Sequence, residues 1–320
     1  MNIGIDIMGG DYAPDAIIKG VILSFEENIE NNNLINYFLF GDKKIIIDKI
    51  ESLSKKKLSH FHNFIIIDCN ENIEMGEHPT KAFIQKQNSS IVTGFKYLAE
   101  KKIDSFASAG NTGAMLVGAM QIIKPIEGIT RPCITAAMPK ENGETGVLLD
   151  VGINADCKPE HLSQFAVLGN LFAKHILNIE KPKIGLLNIG EEEKKGNILA
   201  QNAHQLIKEN ESLNFIGNIE GRDLFNDKAD VIVCDGFTGN ILLKEAEEVY
   251  SIVKRRGIKD EYFERFNYEN YGGTPILGIN ANVIIGHGIS NEKTIKNMLQ
   301  LSKDVIENNL SEKIAQAFKN

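Results

Sequence analysis

Ile5-Asp6-Ile7-Met8-Gly9-Gly10-Asp11, Phe106-Ala107-Ser108-Ala109-Gly110-Asn111-Thr112-Gly113, Leu186-Leu187-Asn188-Ile189-Gly190-Glu191 and Val233-Cys234-Asp235-Gly236-Phe237-Thr238-Gly239-Asn240 share one pattern. Each is an apolar run that breaks into a loop of Gly, Asn, Asp and Thr, and each is followed by a helix-like periodicity. In an open α/β sheet such loops gather at the carboxyl edge of the strands, where ligands bind. Glycine lets the backbone turn tightly and approach a ligand closely. Free N–H groups at the next helix start favour an anion. The repeated break predicts one shared polyanion site, for phosphate, built from distant segments. Its lining would come from Gly9, Gly10, Asp11, Gly110, Asn111, Thr112, Gly113, Asn188, Gly190, Asp235, Gly236, Thr238 and Gly239.

Around these loops, short apolar runs alternate with longer helical patterns, which reads as an α/β fold with a mostly parallel sheet. Strands are expected at Ile3–Ile7, Tyr37–Phe40, Phe64–Ile67, Ser105–Ser108, Ile184–Asn188, Val231–Cys234 and Val283–Ile285. Helices are expected at Asp15–Asn28, Thr80–Glu100, Thr112–Ile123, Pro159–Leu177, Asn197–Glu209, Asn240–Arg256 and Glu292–Phe318. Ile134–Met138 and Val147–Val151 flank Asn142-Gly143, a hairpin signal, so one antiparallel pair is expected. There is no fixed-period repeat, low-complexity segment or clear linker, and residues 1–320 read as a single domain. Asn31–Asn33 and Lys55–Lys57 read as solvated loops or helix ends.

A chain of 320 residues can bury a large core, and 42% hydrophobic with 24% charged residues is ordinary for a soluble globular protein. A net charge of −8 argues against nucleic acid as a partner. Cys69, Cys133, Cys157 and Cys234 form no Cys-x-x-Cys pair and no disulfide framework, which fits a reducing, cytoplasmic setting. Cys133 and Cys234 lie in apolar runs and read as small buried hydrophobes. The N-terminus enters a strand pattern at once, with no signal peptide expected, and no apolar run spans a bilayer.

Several constellations carry candidate chemistry. In Asn188-Ile189-Gly190-Glu191-Glu192-Glu193-Lys194-Lys195-Gly196-Asn197, the acids read either as helix-capping charges or as neighbours of a working Lys195. As a working cation Lys195 would stand over a phosphoryl group or a developing oxyanion, with Asn188 and Gly190 as polar walls. Asp235-Gly236-Phe237-Thr238-Gly239-Asn240 lacks the Walker lysine spacing, so a nucleotide P-loop is not expected. It reads as a tight turn capped by Thr238 or Asn240, or as a site where Asn240 donates to a reacting carbonyl. In Asp150–His161, Asp156, Pro159 and Glu160 suit a helix start, leaving Asp150 and Asn154 for a site role. His287 sits between glycines after an apolar run, as a structural or a working histidine. His60 and His62 have no nearby carboxylate or thiol cluster, and no metal is expected. Lys254-Arg255-Arg256, with Lys259 and Arg265, is either a solvated helix end or a dock for an acidic partner.

Taken together, the motifs resemble the fatty acyl-carrier-protein–phosphate acyltransferase family of bacterial phospholipid synthesis. The matching stretches are Asp6–Asp11, Ser108–Gly113, Gly128–Pro132, Leu149–Gly152, Asp156–Leu162, Gly185–Glu192, Gly217–Asp223, Cys234–Asn240 and Tyr271–Pro275, nine in register over nearly the whole chain. The resemblance implies a three-layer α/β/α sandwich akin to the isocitrate and isopropylmalate dehydrogenases. It also implies a homodimer without cofactor that makes acyl phosphate from acyl-carrier protein and inorganic phosphate. The product feeds a membrane glycerol-phosphate acyltransferase, so peripheral membrane association is implied as well. The segment between Asn240 and Tyr271, where the family carries helices linked to dimer contacts and membrane attachment, is shorter than usual here. The His287 loop reads Gly288-Ile289-Ser290 where Gly-Ser-Ser is usual.

Such a reaction needs no covalent acyl-enzyme, because phosphate is already an anionic nucleophile and a thiol of pKa about 8.5 leaves readily. By the resemblance, Lys195 and Asn240 stabilise the tetrahedral oxyanion, and His287 binds phosphate or protonates the leaving thiolate. An acyl-coenzyme A-dependent phosphotransacetylase is the chemically nearest alternative. A nicotinamide-dependent hydroxyacid dehydrogenase would need an arginine clamp and an aspartate metal group that do not stand out. A phosphate-sensing module would bind without turnover.

Overall fold

Strands and helices alternate along the chain in the computed structural model, which describes residues 1–31 and 34–319. The first stretch runs β1 (Asn2–Asp6), α1 (Asp15–Glu30), β2 (Asn36–Gly41), α2 (Lys43–Ser54), β3 (Phe64–Asp68), α3 (Pro79–Gln85), α4 (Ser90–Ala99), β4 (Ser105–Ser108) and α5 (Thr112–Gly118). Then come β5 (Cys133–Pro139), β6 (Thr145–Leu149), α6 (Pro159–His175), β7 (Lys183–Leu187), α7 (Ile198–Glu209), β8 (Asn214–Ile219) and β9 (Val231–Val233). The chain ends with α8 (Gly236–Arg255), α9 (Glu261–Glu264), β10 (Thr274–Leu277), β11 (Asn282–Ile285), α10 (Glu292–Glu307) and α11 (Leu310–Ala317).

Two compact units result. The first joins Met1–Pro125 to Tyr268–Asn309, and the second joins Ile126–Asn267 to the chain from Leu310 onward. In the first, the strand order is β3-β2-β1-β4-β11-β10, parallel except for β10 against β11. In the second it is β5-β6-β9-β7-β8, parallel except for β5 against β6. The expected hairpin at Asn142-Gly143 is therefore present, and β10–β11 adds a second antiparallel pair.

The first core is aromatic. Phe106 on β4 meets Phe40 at 5.6 Å and Phe95 at 5.3 Å between ring centres, both near edge-to-face, and all three rings are buried. Such pairs contribute about 0.5–1.5 kcal/mol each beyond their buried area. The second core is aliphatic, with Leu148, Val151, Ile219, Ile232 and Cys234 buried together.

Most expected elements stand within two residues of their place; the departures have local causes. The helix expected over Thr80–Glu100 is two helices, because Ser89 caps α4 by accepting from the Val92 N–H and donates its hydroxyl to the Lys86 carbonyl. The helix expected over Glu292–Phe318 breaks at Asn309, which takes the left-handed conformation at φ 49°. α8 starts at Gly236 rather than Asn240, since Asp235 is the cap and accepts from the Thr238 N–H at 2.8 Å. The cap of α6 is Lys158 rather than Asp156, and its N–H donates to His161 Nδ1 at 3.1 Å. The unanticipated α2 is set by Asp42, which accepts from the Ile45 N–H, and by Ile46 and Ile50 buried one turn apart. Asn31 and Lys55 do end helices, while Asn32 and Asn33 lie outside the described residues.

α1 and α10 pack closely because Gly20 has no side chain: an added Cβ would meet Ile295 and come within 2.8 Å of the Glu292 carbonyl. Gly20→Leu should therefore lower stability by about 1–3 kcal/mol, read as a reduced urea midpoint. An unchanged midpoint would show that this contact is not tight.

Candidate functional site

In the first unit, three predicted loops meet. β1, β4 and β11 are parallel neighbours, so their following loops leave the same edge of the sheet. Asp6, fully buried at the end of β1, accepts from the Met8 N–H at 3.0 Å and from the Ser108 hydroxyl at 2.7 Å. Ser108 Oγ in turn accepts from the Gly110 N–H at 2.9 Å. Gly9 is required here, since a Cβ would strike the Asp6 carboxylate and approach the Gly110 nitrogen to 2.8 Å. The Asp11 N–H donates to the Gly288 carbonyl at 2.8 Å, and Gly10 lies beside that same carbonyl. The structure thus brings together Gly9, Gly10, Asp11, Gly110 and the His287 loop.

Burial pushes the Asp6 carboxyl above its ordinary range, against the pull of its hydrogen bonds. Asn111 is buried and heavily engaged: its Oδ1 caps α5 through the Ala114 N–H, and its Nδ2 faces the carbonyls of Glu74, Met75 and Glu77. Its role is to fix the loop, whereas Thr112 is exposed and Gly113 packs against Pro79. His287 is exposed, and its Nδ1 accepts from the Ile289 N–H at 3.4 Å. That contact leaves the proton of the neutral ring on Nε2. Tyr268 lies against the imidazole at 5.6 Å between ring centres.

In the second unit, β6, β9 and β7 are parallel neighbours and their loops again leave one edge. Asp150 is fully buried and spends both oxygens on the chain. Oδ1 accepts from the N–H groups of Ile134 and Val151, and Oδ2 from the N–H and the amide of Asn154. Asn154 passes the order on, its carbonyl accepting from the Gly236 N–H at 2.8 Å, while its own Oδ1 is buried without a partner. Gly239 packs against the Asp150 carbonyl. Thr238 is tied to the cap, its hydroxyl donating to Asp235 at 2.8 Å. Asn240 is exposed in the second turn of α8, with its side chain over Gly152.

The Lys195 loop follows β7. Asn188 Oδ1 accepts from the Ile189 N–H at 2.8 Å, and its Nδ2 donates to the Lys195 carbonyl at 3.1 Å. The Lys195 side chain, half exposed, lies along Gly190, with Glu192 as its ion-pair neighbour at 3.9 Å. Thus Asp150, Asn154, Asp235, Gly236, Thr238, Gly239 and Asn240 form one group, and Asn188, Gly190 and Lys195 form a second loop on the same sheet edge.

Asp6 and Ser108 gain their importance only from the structure, whereas Cys133 and Cys234 are buried as their apolar runs predict. The available signal for Asp6 is a carboxylate inside the apolar run Ile3-Gly4-Ile5-Asp6-Ile7, three residues before the pair Gly9-Gly10. Burial pushes the Cys157 thiol up to about 11, with the Asp150 and Asp235 charges adding to it. Burial likewise carries Cys133 and Cys234 well above the ordinary thiol range. The basic stretch divides: Arg265 donates to the Lys140 and Glu144 carbonyls and Arg255 pairs with Glu248, while Lys254, Arg255 and Arg256 are exposed. The acids Glu144, Asp227 and Asp230 surround the buried Lys140 ammonium.

Asp223 is a buried carboxylate whose burial is overcome by donors from the Glu220 N–H, the Asn226 amide and the Lys228 ammonium, lowering its pKa from 3.8 to about 2. A lowered folded pKa gives stability that is present above the unfolded value and lost as pH falls through the folded one. The melting-temperature gap between the parent and Asp223→Asn should hold steady from neutral pH to about 4, then narrow toward about 2. A gap of equal size at both ends of that acid window would refute the assignment.

The sequence model of the family described as "Fatty acid synthesis protein" matches residues 1–313. A phosphate acyltransferase from Caldicellulosiruptor saccharolyticus is 40% identical over 98% of this chain and 96% of its own length. Among solved structures, a phosphotransacetylase from Streptococcus pyogenes has a TM-score of 0.65 at 19% identity, covering 95% of this chain and 94% of its own. A 4-hydroxythreonine-4-phosphate dehydrogenase from Klebsiella pneumoniae has a TM-score of 0.55 at 12% identity, covering 95% and 99%. These two likenesses concern the fold alone, a mostly parallel α/β sheet with helices. The match over residues 1–313 and the 40% identity across nearly the full length show that the chain belongs to the fatty acid synthesis protein family, which includes the phosphate acyltransferases.

Proposed function

We propose that the chain transfers a fatty acyl group from the thioester of acyl-carrier protein to inorganic phosphate, giving acyl phosphate for phospholipid synthesis. The observation that carries this reading is the full-length family match joined to an exposed cation, Lys195, on a loop held at the carboxyl edge of the second sheet. A phosphate oxygen attacks the thioester carbonyl, forming a C–O bond. The tetrahedral oxyanion then collapses, the C–S bond breaks, and the thiolate leaves. Lys195 and the Asn240 amide stabilise the oxyanion, which is the term that such preorganised donors supply best. His287, whose Nδ1 accepts from the Ile289 N–H, binds phosphate, or as the imidazolium protonates the leaving thiolate. The glycine-rich loops cradle phosphate through backbone N–H groups.

The proposal extends to a single acyltransferase domain over residues 1–320 with the three-layer α/β/α arrangement of the isocitrate and isopropylmalate dehydrogenases. It further includes a homodimer, a cytoplasmic location with peripheral membrane association, and delivery of product to a membrane glycerol-phosphate acyltransferase. No helix among the described residues is long and apolar enough to cross a membrane.

Incubation with long-chain acyl-carrier protein and phosphate should yield acyl phosphate. Turnover confined to acyl-coenzyme A would favour a phosphotransacetylase instead. Lys195→Ala and Asn240→Ala should each lower turnover about 10²-fold with the fold intact by circular dichroism. Normal turnover in either variant removes that residue from the chemistry.

Lys254, Arg255 and Arg256 are exposed at the end of α8 and offer a positive face to an acidic carrier. Reversing all three charges should raise KM for acyl-carrier protein and flatten its salt dependence. An unaltered KM and salt response would send the stretch back to a solvated helix end.

A further inference from the structure

We propose that Asn218 and His204 are positioning residues for the Lys195 loop, an inference that rests on the role given to Lys195 above. Both are polar, and both are almost completely buried, at 3% and 2% exposure. Burying such groups is costly unless each polar atom finds a partner. Asn218 Nδ2 donates to the Glu192 carbonyl at 2.8 Å. A carbonyl only accepts, so the amide orientation is determined: Oδ1 faces His204 Nδ1 at 3.1 Å, and Nδ1 carries the proton.

The oxygen that Asn218 holds is the one on which the Lys195 turn closes. The Lys195 N–H donates to that same Glu192 carbonyl at 2.9 Å, while the Lys195 carbonyl accepts from Asn188. The backbone of Lys195 is thereby gripped on both sides, once by Asn188 and once through Asn218. Glu193 adds a second tether to α7: it pairs with Lys208 and lies 3.9 Å from His204 Nε2.

The strand is bent to make this contact. Ile184 pairs with Phe215, but Gly185 pairs with Gly217, so Ile216 is an extra residue in β8. In a regular strand, residues three apart face opposite sides. Here Phe215 touches the His204 ring, 5.0 Å between centres, and Asn218 bonds that same ring. The bulge, with Gly217 at φ 95°, returns both side chains to the α7 side. Re-aiming a side chain beside a site is a recurrent use of such bulges.

Four variants test this, each confirmed folded by circular dichroism. Asn218→Leu should lower kcat about 10-fold, with KM for phosphate and for the thioester within about two-fold. His204→Leu should do the same. His204→Asn, whose amide nitrogen replaces Nδ1 as donor, should keep kcat within about three-fold of the parent. In the Lys195→Ala background, Asn218→Leu should produce no further loss, because the two act through one group. If Asn218→Leu does not fold, Asn218→Ala removes both side-chain contacts without adding volume or charge, and is read in the same way. Undiminished kcat in the Asn218 variant beside a crippled Lys195→Ala overturns the positioning role alone, as does an equal proportional loss in both backgrounds. Full turnover by Lys195→Ala itself overturns the assignment beneath it.

Discussion

A carboxylate removed from water must be met by donors, and two such carboxylates organise the loops of this protein. Asp150 takes four N–H donors from three residues and leaves no oxygen for anything else. Asp6 takes the Met8 N–H and the Ser108 hydroxyl, and Ser108 then takes the Gly110 N–H. Each acid stands at the carboxyl end of a strand, where the chain turns into a glycine-rich loop. Burial raises the pKa of both. That increase measures an unfavourable desolvation that the surrounding donors only partly offset.

This constraint separates the residues that hold the loops from those that face outward. Asp6, Ser108, Asn111, Asp150 and Asn154 are buried and hydrogen-bonded to backbone. Asp11, Thr112, Asn240 and His287 are exposed on segments that the first group orders, and Lys195 is half exposed on a turn held by Asn188 and Asn218. Electrostatic stabilisation of a developing charge works only when the donors do not have to move to meet it. A lysine on a free loop would lose that advantage. In the proposed role Lys195 keeps it, because Asn188 and the Glu192 turn fix its backbone while its side chain lies along Gly190.

The sequence revealed the fold where local signals and tertiary packing agree. Strand–loop–helix punctuation placed β1, β4, β7 and β9, and Asn142-Gly143 placed the hairpin. It was silent where the signal is short or mixed. β10 is four residues with Pro275 inside it, and β8 is interrupted by Gly217. α2 hides behind Ile45-Ile46-Ile47, a β-branched run that a cap and two buried isoleucines override. Long helical periodicities also concealed breaks, since Ser89 starts a new helix and Asn309 interrupts one through hydrogen bonding and backbone conformation that apolar spacing does not encode. For the site, the exposed candidates were legible because glycine and asparagine mark loops. The buried supports were not, because Asp6 and Asn218 gain meaning only from partners distant in sequence.

The thiols bear on the chemistry from another direction. Burial holds Cys69 and Cys157 at about 11 and carries Cys133 and Cys234 well above the usual range. A thiol attacks as its thiolate, so at neutral pH none of the four is prepared to accept an acyl group. Asp150 contributes to this for three of them, because its negative charge disfavours a second negative charge nearby. The carboxylate that orders the second unit's loops therefore adds to the burial that raises the adjacent thiols. This agrees with the proposed direct attack, in which phosphate arrives with its charge already in place.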